Sequence, residues 1–592
     1  MKKTTIYSYA CAVAVAACLS ACRSGGGQRT VSVTPRVPVL VPDSAGCVDM
    51  RLDVAVPPRY FSRRSRLIVL PQLREGSQTL CEYDPVVLDA PVYSKKMHRL
   101  EALYGYADSL AGLRRSVSRT RRGMVVPYNN KVALPQGQNN GRRVYGVVTT
   151  DGCGECSAID TVLLAVIDDP ADLFRRKLAP KWVEPRFEVK PKIREGRGTA
   201  HIQFIINRYD IRPELGNNRA ELDTMLARLA PVVADTLAEL TSVGIYGLAS
   251  ADGPLSFNTP LARNRANSAM RWLCDRLGLG AAERRVFTTG SRPEGWEPVV
   301  AAMAAAGNAD STAVREILDR YAGQNDDVAE RYIRRLACWP VIRDNFLQKD
   351  RKVEYVYTYK IRNFTTDDEL LRMYATRPDA FSEDELLRVS ILKPTRAEKE
   401  EVYRTTLRYY PKSQAAANNL AAILLAEGKA AEAEAVIKGV GPADGALSVN
   451  LAAAYIAQGR LDEAEQALAQ APAGDPEARY NLGIIRACQN RYAEAYDILK
   501  PYGDAAAALA ALCLGRDGEA EAIIRQLEPH DKSPLTAYVG ARIAARQGRA
   551  DDMFARLQRA AADKELARRI ASDYDFDPYR ADRRWTALGV GR

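Results

Sequence analysis

The sequence has few of the residues and motifs on which most enzymatic sites depend. Only three histidines occur in 592 residues, His98, His201 and His530, and they lie far apart, so none sits in a metal-binding spacing such as H-E-x-x-H. The chain also has no Walker loop, no dinucleotide-binding glycine fingerprint and no G-x-S-x-G elbow. These absences remove the commonest routes to catalysis. The sequence therefore predicts a non-enzymatic protein with no catalytic residue, no metal and no cofactor.

The overall composition is that of a protein with packed domains. Apolar residues make up 47% of the chain and charged residues 27%, so disorder is not expected. The net charge of +11 fits either a solvated surface or attraction to anionic envelope polymers and acidic partners. No nucleic-acid-binding motif accompanies this charge, so no nucleic acid is expected as a partner.

The N-terminus has the pattern of an export signal. Lys2 and Lys3 precede a short apolar stretch, residues 7–19, which is shorter than the roughly 20 residues that span a bilayer. The stretch ends in Leu19-Ser20-Ala21-Cys22. This motif resembles the bacterial lipobox, which implies removal of residues 1–21 and lipidation of Cys22. Two or three acyl chains would then anchor the protein to a membrane.

Residues 22–30 form a short tether that contains three consecutive glycines, Gly25 to Gly27. The tether lacks the acidic run that Bacteroidetes-type lipoproteins use as a surface-export tag. The expected location is therefore the outer membrane, with the protein facing the periplasm.

Oxidising conditions there permit disulfides, and Cys47 with Cys81 is the predicted pair. Cys153 and Cys156 form a C-x-x-C segment, either a redox motif or, more simply, a tight bridge or two thiols at a hairpin tip.

Residues 31–190 are predicted to form a strand-rich module, by pattern a small β-sandwich. Apolar residues from Val48 to Val56 alternate with polar ones, which indicates a half-buried strand. A second strand is expected over 66–70, and 144–150 with 159–167 should form a hairpin around the C-x-x-C segment. Long helical patterns are scarce in this module, and the exception is a helix expected over 97–113.

A different pattern follows over 198–364. Residues 204–213 are interpreted as a strand that breaks into a loop, and a long helical stretch is expected from Asn218 to Leu240. A strand over 243–248 leads into a loop that contains Ala249-Ser250-Ala251-Asp252-Gly253, and an N-x-x-L-x-x-x-R-A motif follows, with Asn258 and Arg265 as its first and last polar residues. The final strand is expected over 352–361, after a mostly helical insertion over about 292–345.

This ordered set of motifs resembles the OmpA-like domain, an α+β fold whose members bind the peptide stem of peptidoglycan. The resemblance implies that Arg265 grips a carboxylate through charge-assisted bonds, with Asn258 fixing the loop. The family's Asp falls on Ser250, which cannot pair with an ammonium by charge, and Asp252, two residues on, is the candidate to replace it. The A-S-x-[DE]-G form resembles a variant found in Bacteroidetes envelope proteins. Peptidoglycan binding and a scaffold with another ligand both remain open.

Residues 366–592 are rich in Ala and Leu and contain an internal repeat. Asn419, Asn450 and Asn481 recur at 31-residue steps, each followed by Leu and a small residue. Twelve residues after that small residue comes Ala433, Ala464 or Ala495, and turns at 428–429, 459–460 and 490–491 separate the two halves. The pattern resembles tetratricopeptide repeats, which are stacked helix pairs, over about 412–560 including two looser copies.

Such solenoids bind peptides or protein segments on a concave surface. Asn419, Asn450 and Asn481 lie on the first helix of each unit, so they either bond the backbone of an extended peptide or make contacts within the repeat. The predicted architecture is thus a β-sandwich-like module, an α+β OmpA-like domain and an all-α repeat solenoid. The predicted function is a lipid-anchored adaptor that associates with peptidoglycan and envelope proteins. The alternative is an accessory lipoprotein for the assembly or secretion of surface structures, in which the OmpA-like domain no longer binds peptidoglycan.

Overall fold

The computed structural model describes residues 30–590 except for 35–36, 44–45, 119–121, 136–140, 153–156, 206, 249–253, 293–294, 325, 348–351 and 444. The predicted signal peptide, Cys22 and the C-x-x-C segment lie outside the described residues. Two compact units divide the chain. Unit 1 joins the described residues up to Pro180 with those from Leu451 onward, and unit 2 is Lys181–Asn450. The units cut across the predicted domains, whose boundaries stay predictions.

The first part of unit 1 is rich in β-strands, as predicted. Its strands are β1 (Ser32–Thr34), β2 (Val39–Leu40), β3 (Cys47–Val56), β4 (Arg66–Glu75), β5 (Gln78–Glu82), β6 (Val86–Asp89), β7 (Arg114–Ser116), β8 (Met124–Ala133), β9 (Arg143–Asp151) and β10 (Ser157–Ile167). Among the described residues, one sheet has the order β1-β3-β8 and the other β2-β10-β9-β4-β6-β7, with β5 paired to β4.

One apolar core is shared by these two sheets, which is the sandwich-like arrangement that the sequence indicates. The alternation in β3 is confirmed, because Val48, Met50 and Val54 are fully buried while Asp49, Arg51 and Asp53 point outward. The predicted hairpin is also confirmed, since β9 and β10 pair in antiparallel orientation. The predicted disulfide is wrong, because Cys47 and Cys81 are both thiols and lie in β3 and β5, strands that do not pair.

The predicted helix over 97–113 is shifted towards the N-terminus. Helix α1 spans Pro91–Tyr104, and Pro91 occupies the first turn, where the missing N–H costs nothing. Gly105 ends the helix with a φ of 61°, a left-handed conformation that favours glycine. A short helix, α2 (Ala171–Arg175), follows β10.

Unit 2 begins with an extended segment and a four-stranded sheet among the described residues. The sheet strands are β11 (Lys192–Ala200), β12 (Ala238–Gly247), β13 (Phe287–Ser291) and β14 (Val353–Ile361), in the order β11-β14-β12-β13. Helices α3 (Asn218–Ala234) and α4 (Leu255–Arg276) cover this sheet. Helices α5 (Trp296–Ala305), α6 (Ser311–Arg320), α7 (Asp326–Ile333) and α8 (Trp339–Asn345) form the predicted insertion, with a core of their own.

The first strand of this sheet is not where the sequence places it. Residues 201–205 and 207–216 are irregular, and the strand is the earlier, more polar stretch β11. Gly196 and Gly198 explain the difference, because a Cβ atom at either position would lie 2.2 Å from the side chain of Tyr357 or Tyr355. The side chains of Tyr355 and Tyr357 in β14 therefore pack over the glycines of β11 and shield that face of the strand from solvent. Strand β11 can thus be part of the sheet with few apolar side chains of its own. The predicted helix to Leu240 also ends early, at Ala234, and β12 starts at Ala238.

The rest of the chain is helical, as predicted. Before the repeats lie α9 (Asp367–Thr376), α10 (Glu383–Leu392) and α11 (Arg396–Tyr409). The repeat helices are α12 (Gln414–Ala426), α13 (Ala430–Val440), α14 (Gly445–Ala457), α15 (Leu461–Leu468), α16 (Pro476–Cys488), α17 (Tyr492–Leu499), α18 (Ala505–Cys513), α19 (Asp517–Leu527), α20 (Pro534–Arg546) and α21 (Ala550–Ala560). The last helices among the described residues are α22 (Lys564–Ser572) and α23 (Arg583–Ala587), with a 3-10 helix, Tyr574–Tyr579, between them.

The predicted turns within the repeats are confirmed. Gly428, Gly459 and Asn490 adopt φ values of 76°, 77° and 63° between the two helices of their units, and asparagine is the non-glycine residue that tolerates this conformation best. The small residues twelve positions apart are buried in each pair, as predicted. Among the described residues, no helix combines the length and the apolar character needed to cross a membrane.

Candidate functional site

The three repeat asparagines are completely buried, although asparagine is usually an exposed residue. Asn419 lies in α12, Asn450 in α14 and Asn481 in α16, and each has 0% exposed surface. A buried amide side chain needs partners for both its oxygen and its NH₂ group. The partners of these side chains therefore show what the position does.

In unit 2, two of the asparagines pair with the backbone of the extended segment that precedes β11. The Asn450 Oδ1 atom accepts a bond of 2.7 Å from the amide of Lys181, and the Asn450 Nδ2 donates one of 2.8 Å to the carbonyl of the same residue. Asn419 makes the same two bonds with Val183, at 3.0 and 2.8 Å. Each side-chain amide thus makes the pair of hydrogen bonds that the backbone of a neighbouring strand would make.

The geometry of an extended chain explains this pairing. In a strand, the N–H and C=O groups of one residue point to the same side of the chain. The groups of the next residue point to the opposite side, and those of the residue two positions along point to the first side again. Lys181 and Val183 are two residues apart, so both present their backbone groups to one side. Between them, the ring of Trp182 makes an edge-to-face contact with Tyr403, at 6.1 Å between centroids. The Tyr403 hydroxyl in turn accepts a bond from Asn419 Nδ2.

In unit 1, Asn481 makes an equivalent pairing. Its Oδ1 accepts a bond of 2.9 Å from the Ala179 amide, and its Nδ2 donates a bond of 2.9 Å to the Ala179 carbonyl. The same chemistry therefore occurs at all three positions that the sequence singled out. The sequence left open whether they bind an extended chain or make internal contacts, and in the structure the extended chain is a segment of the same protein.

Asn418 is a further site residue that sequence analysis missed. Its Nδ2 donates to the carbonyl of Lys181 at 2.9 Å, and its Oδ1 and backbone carbonyl accept bonds from Asn450 Nδ2 at 2.8 and 3.0 Å. It thereby links two repeat asparagines in unit 2. The doublet Asn418-Asn419 was a visible signal, but the position before Asn450 is Val449 and that before Asn481 is Tyr480, so the repeat pattern did not reveal it.

The peptidoglycan-binding candidates are only partly within the described residues. Ser250 and Asp252 lie outside them. Asn258 and Arg265 both lie in α4, with 7% and 2% of their surfaces exposed. The Arg265 guanidinium stacks over the Phe204 ring at 4.8 Å, and its Nε donates to the carbonyl of Arg208 at 3.4 Å. Arg265 thus binds the irregular segment that precedes α3.

A cluster of buried charges in unit 1 was also missed by sequence analysis. Asp168, which follows β10, accepts bonds of 2.9 Å from Arg542 and 2.6 Å from Arg569. Asp575 and Asp573 also contact Arg542, at 2.7 and 3.3 Å. Burial disfavours the charge on Asp168, but the two guanidiniums outweigh it and lower the pKa of this carboxyl. Burial raises the pKa of Asp573. The described residues contain no group of side chains suited to a metal ion.

Comparison with known proteins agrees with the helical-repeat prediction. A family model described as tetratricopeptide repeat matches residues 439–485, which include α14, α15 and most of α16. No curated protein matches the chain. One similar solved structure is a tetratricopeptide repeat protein from Parabacteroides merdae, with 13% identity over 47% of this chain and 98% of that one, at a TM-score of 0.27.

Another similar solved structure is the OmpA-like domain of FopA1 from Francisella tularensis. It has 10% identity and covers 31% of this chain and 86% of that one, at a TM-score of 0.16. Both TM-scores lie below 0.5, so neither likeness establishes a shared fold. The chain therefore contains a tetratricopeptide repeat match in its helical part, beside a strand-rich N-terminal region.

Proposed function

We propose that this protein is a non-enzymatic scaffold of the bacterial cell envelope, with helical repeats that bind extended polypeptide. The observation that supports this role is the pairing of Asn419 and Asn450 with both backbone groups of Val183 and Lys181. Recognition through backbone groups selects an extended conformation rather than a particular sequence. The chain's own segment occupies these asparagines, so partner proteins are proposed to contact exposed faces of the repeat helices.

The scaffold is proposed to be attached to the outer membrane through a lipid on Cys22 and to face the periplasm. Support for this comes from the lipobox-like motif and the short glycine-containing tether. A membrane attachment raises the effective concentration of the repeats near other envelope proteins. Protein capture by the repeats then needs only moderate affinity.

Cross-linking in intact cells tests the scaffold role. A photo-reactive amino acid is placed at Gln466 or Asp497, exposed positions on α15 and α17, and in a separate variant at Arg263, an exposed position on α4 near Arg265. We expect the repeat positions to yield cross-links to envelope proteins. Cross-links to wall fragments from Arg263, with none to proteins from the repeats, would instead favour an adaptor dominated by peptidoglycan.

For the middle domain, we propose that Arg265 supports the fold and does not bind a stem peptide. The burial of its side chain and its contacts with Phe204 and Arg208 favour this alternative. Purified sacculi are incubated with the wild-type protein and with Arg265→Lys and Arg265→Ala, and circular dichroism checks that each variant is folded. Equal retention of the three proteins is expected. Selective loss of retention in the folded variants would return Arg265 to a peptidoglycan-binding role.

The absence of enzymatic activity is a separate proposal with its own test. Zymography in gels that contain peptidoglycan reports any wall hydrolase. We expect no clearing at the position of this protein. A clearing band that persists in the purified protein would refute the non-enzymatic assignment and leave the repeat contacts unaffected.

A further inference from the structure

An exposed apolar patch lies at the end of α1 in unit 1. Leu103, Tyr104 and Tyr106 are 71%, 77% and 53% exposed. Val92, which is 44% exposed, lies on the same face of α1 as Leu103, about three turns towards the N-terminus. Large apolar side chains that are exposed together mark contact surfaces more often than single ones do. These four residues are called the α1 patch.

The charges beside the α1 patch are basic. Lys95, Lys96 and Arg99 are exposed on the same helix. The acidic residues between 91 and 118 are Glu101 and Asp108, and both are held by arginines: Glu101 by Arg114, at 2.5 Å, and Asp108 by Arg66, at 2.6 Å. The surface that α1 offers is therefore apolar and positively charged.

Strand register connects this patch with the start of the described chain. Ser32 of β1 pairs with Ala55 of β3, and Ala55 pairs with Val125 of β8. Val125 is itself 58% exposed. Two residues along β8, the carbonyl of Pro127 accepts a bond of 3.2 Å from Arg115. Arg115 follows Arg114 in the chain, and Arg114 forms the ion pair with Glu101. Glu101 lies near the C-terminal end of α1.

Ser32 is therefore connected to the C-terminal end of α1 through strands β3 and β8 and the side chains of Arg115 and Arg114. Neighbouring strands lie about 5 Å apart, and the chain between Cys22 and Ser32 can span at most about 35 Å. A lipid on Cys22 would thus hold the α1 patch within reach of the bilayer surface.

We infer that the α1 patch rests on the membrane and contacts the interface of anionic lipids. Tyrosine is favoured at the boundary between head groups and acyl chains, where its ring is apolar and its hydroxyl is hydrated. Lys95, Lys96 and Arg99 suit the negative charge of phosphatidylglycerol head groups. A peptide contact with the bilayer adds to the attachment that the acyl chains on Cys22 would supply. This inference uses the proposed lipidation of Cys22 to orient the patch, but the patch can bind lipid without it.

Vesicle flotation tests the inference. The chain from residue 22 onward, carrying Cys22→Ser, is mixed with vesicles of phosphatidylethanolamine and phosphatidylglycerol or with vesicles of phosphatidylcholine alone. We expect flotation with the anionic vesicles that decreases at high salt. The triple variant Leu103→Ser, Tyr104→Ser and Tyr106→Ser should partition about tenfold less. The matched control is Ile193→Ser in unit 2, a residue that is 67% exposed, and it should float like the parent.

Two results would overturn the inference: a parent protein that does not float with anionic vesicles, or a folded triple variant that floats as well as the parent. Lipidation is measured separately, by incorporation of radiolabelled palmitate in cells with and without Cys22→Ser. Failure of that labelling would refute the proposed anchor while leaving the flotation result to decide the role of the α1 patch.

Discussion

The side chain of Asn450 makes the two backbone hydrogen bonds with Lys181 that a residue of a neighbouring strand would otherwise make. Its amide takes part in bonds with the Lys181 amide and carbonyl and with Asn418. Because the side chain is fully buried, loss of its amide removes partners that water cannot replace. Asn450→Ala should therefore lower the free energy of unfolding by about 1–3 kcal/mol.

Denaturant unfolding of the variant measures this effect. Gln547→Ala is the control, since Gln547 is an exposed amide after α20, and it should change stability by less than about 0.5 kcal/mol. Equal stability of the two variants would show that the Asn450 pairing contributes nothing beyond what solvent supplies.

Asp531 gives a prediction of pH dependence at the residue scale. Partial burial opposes its charge, but bonds from the Ser533 amide and the Thr536 hydroxyl outweigh burial and lower the pKa of this carboxyl to about 2. Lys177 adds a contact at 3.4 Å. A depressed pKa stabilises the fold above the unfolded value near 3.9, and this contribution disappears as the pH falls towards 2.

Asp531→Asn should accordingly cost about 2 kcal/mol near neutral pH, and the difference from wild type should shrink between pH 4 and pH 2. Unfolding free energies of both proteins across this range provide the measurement. A difference that stays constant down to pH 2 would contradict the assignment, because it would place the effect in the hydrogen bonds rather than in the charge.

At the scale of elements, Gly247 sets how closely α4 approaches β12. A Cβ atom at this position would lie 1.9 Å from the carbonyl oxygen of Ala262 in α4, so any side chain must push the helix away. Gly247→Ala should lower the free energy of unfolding by about 1–3 kcal/mol or more. Gly439→Ala in α13 is the control, because its Cβ meets nothing within 4 Å. That variant should be neutral or more stable by up to about 1 kcal/mol. Thermal unfolding measures both effects: we expect a lower melting temperature for Gly247→Ala and an unchanged or higher one for Gly439→Ala.

The elements show which parts of the fold a sequence can predict. Strand β3 and the repeat turns were predictable, because their signals lie in local spacing: alternation in one case and a left-handed turn residue in the other. Strand β11 was not predictable, because its cover comes from Tyr355 and Tyr357, about 160 residues later. The repeat asparagines were recognisable by their period, but their partners were not. Lys181 and Val183 offer only backbone groups, which leave no trace in the side-chain pattern.

At the scale of the whole molecule, unit 1 is built from both ends of the described chain. The connection after β10 supplies Asp168 and helix α2 supplies Asp172. Arg569 of α22 binds both, at 2.6 and 2.8 Å. Arg569 also donates to the hydroxyl of Tyr538 at 3.1 Å. Since the guanidinium is buried, its removal leaves a carboxylate without one of its partners, which costs about 3–5 kcal/mol in comparable buried ion pairs.

Arg569→Met should therefore destabilise both ends of unit 1 together. In hydrogen exchange, we expect the amides of β9 and β10 to lose protection along with those of α20 and α22, because shared buried charges make the two regions one cooperative unit. Arg584→Met is the control, since Arg584 pairs with the exposed Asp551 and with Asp582 near the surface and should matter by less than about 1 kcal/mol. Loss of protection in the helices alone would mean that the strand-rich region folds without the C-terminal helices. In that case the ion pairs of Asp168 would join two independent domains rather than complete one.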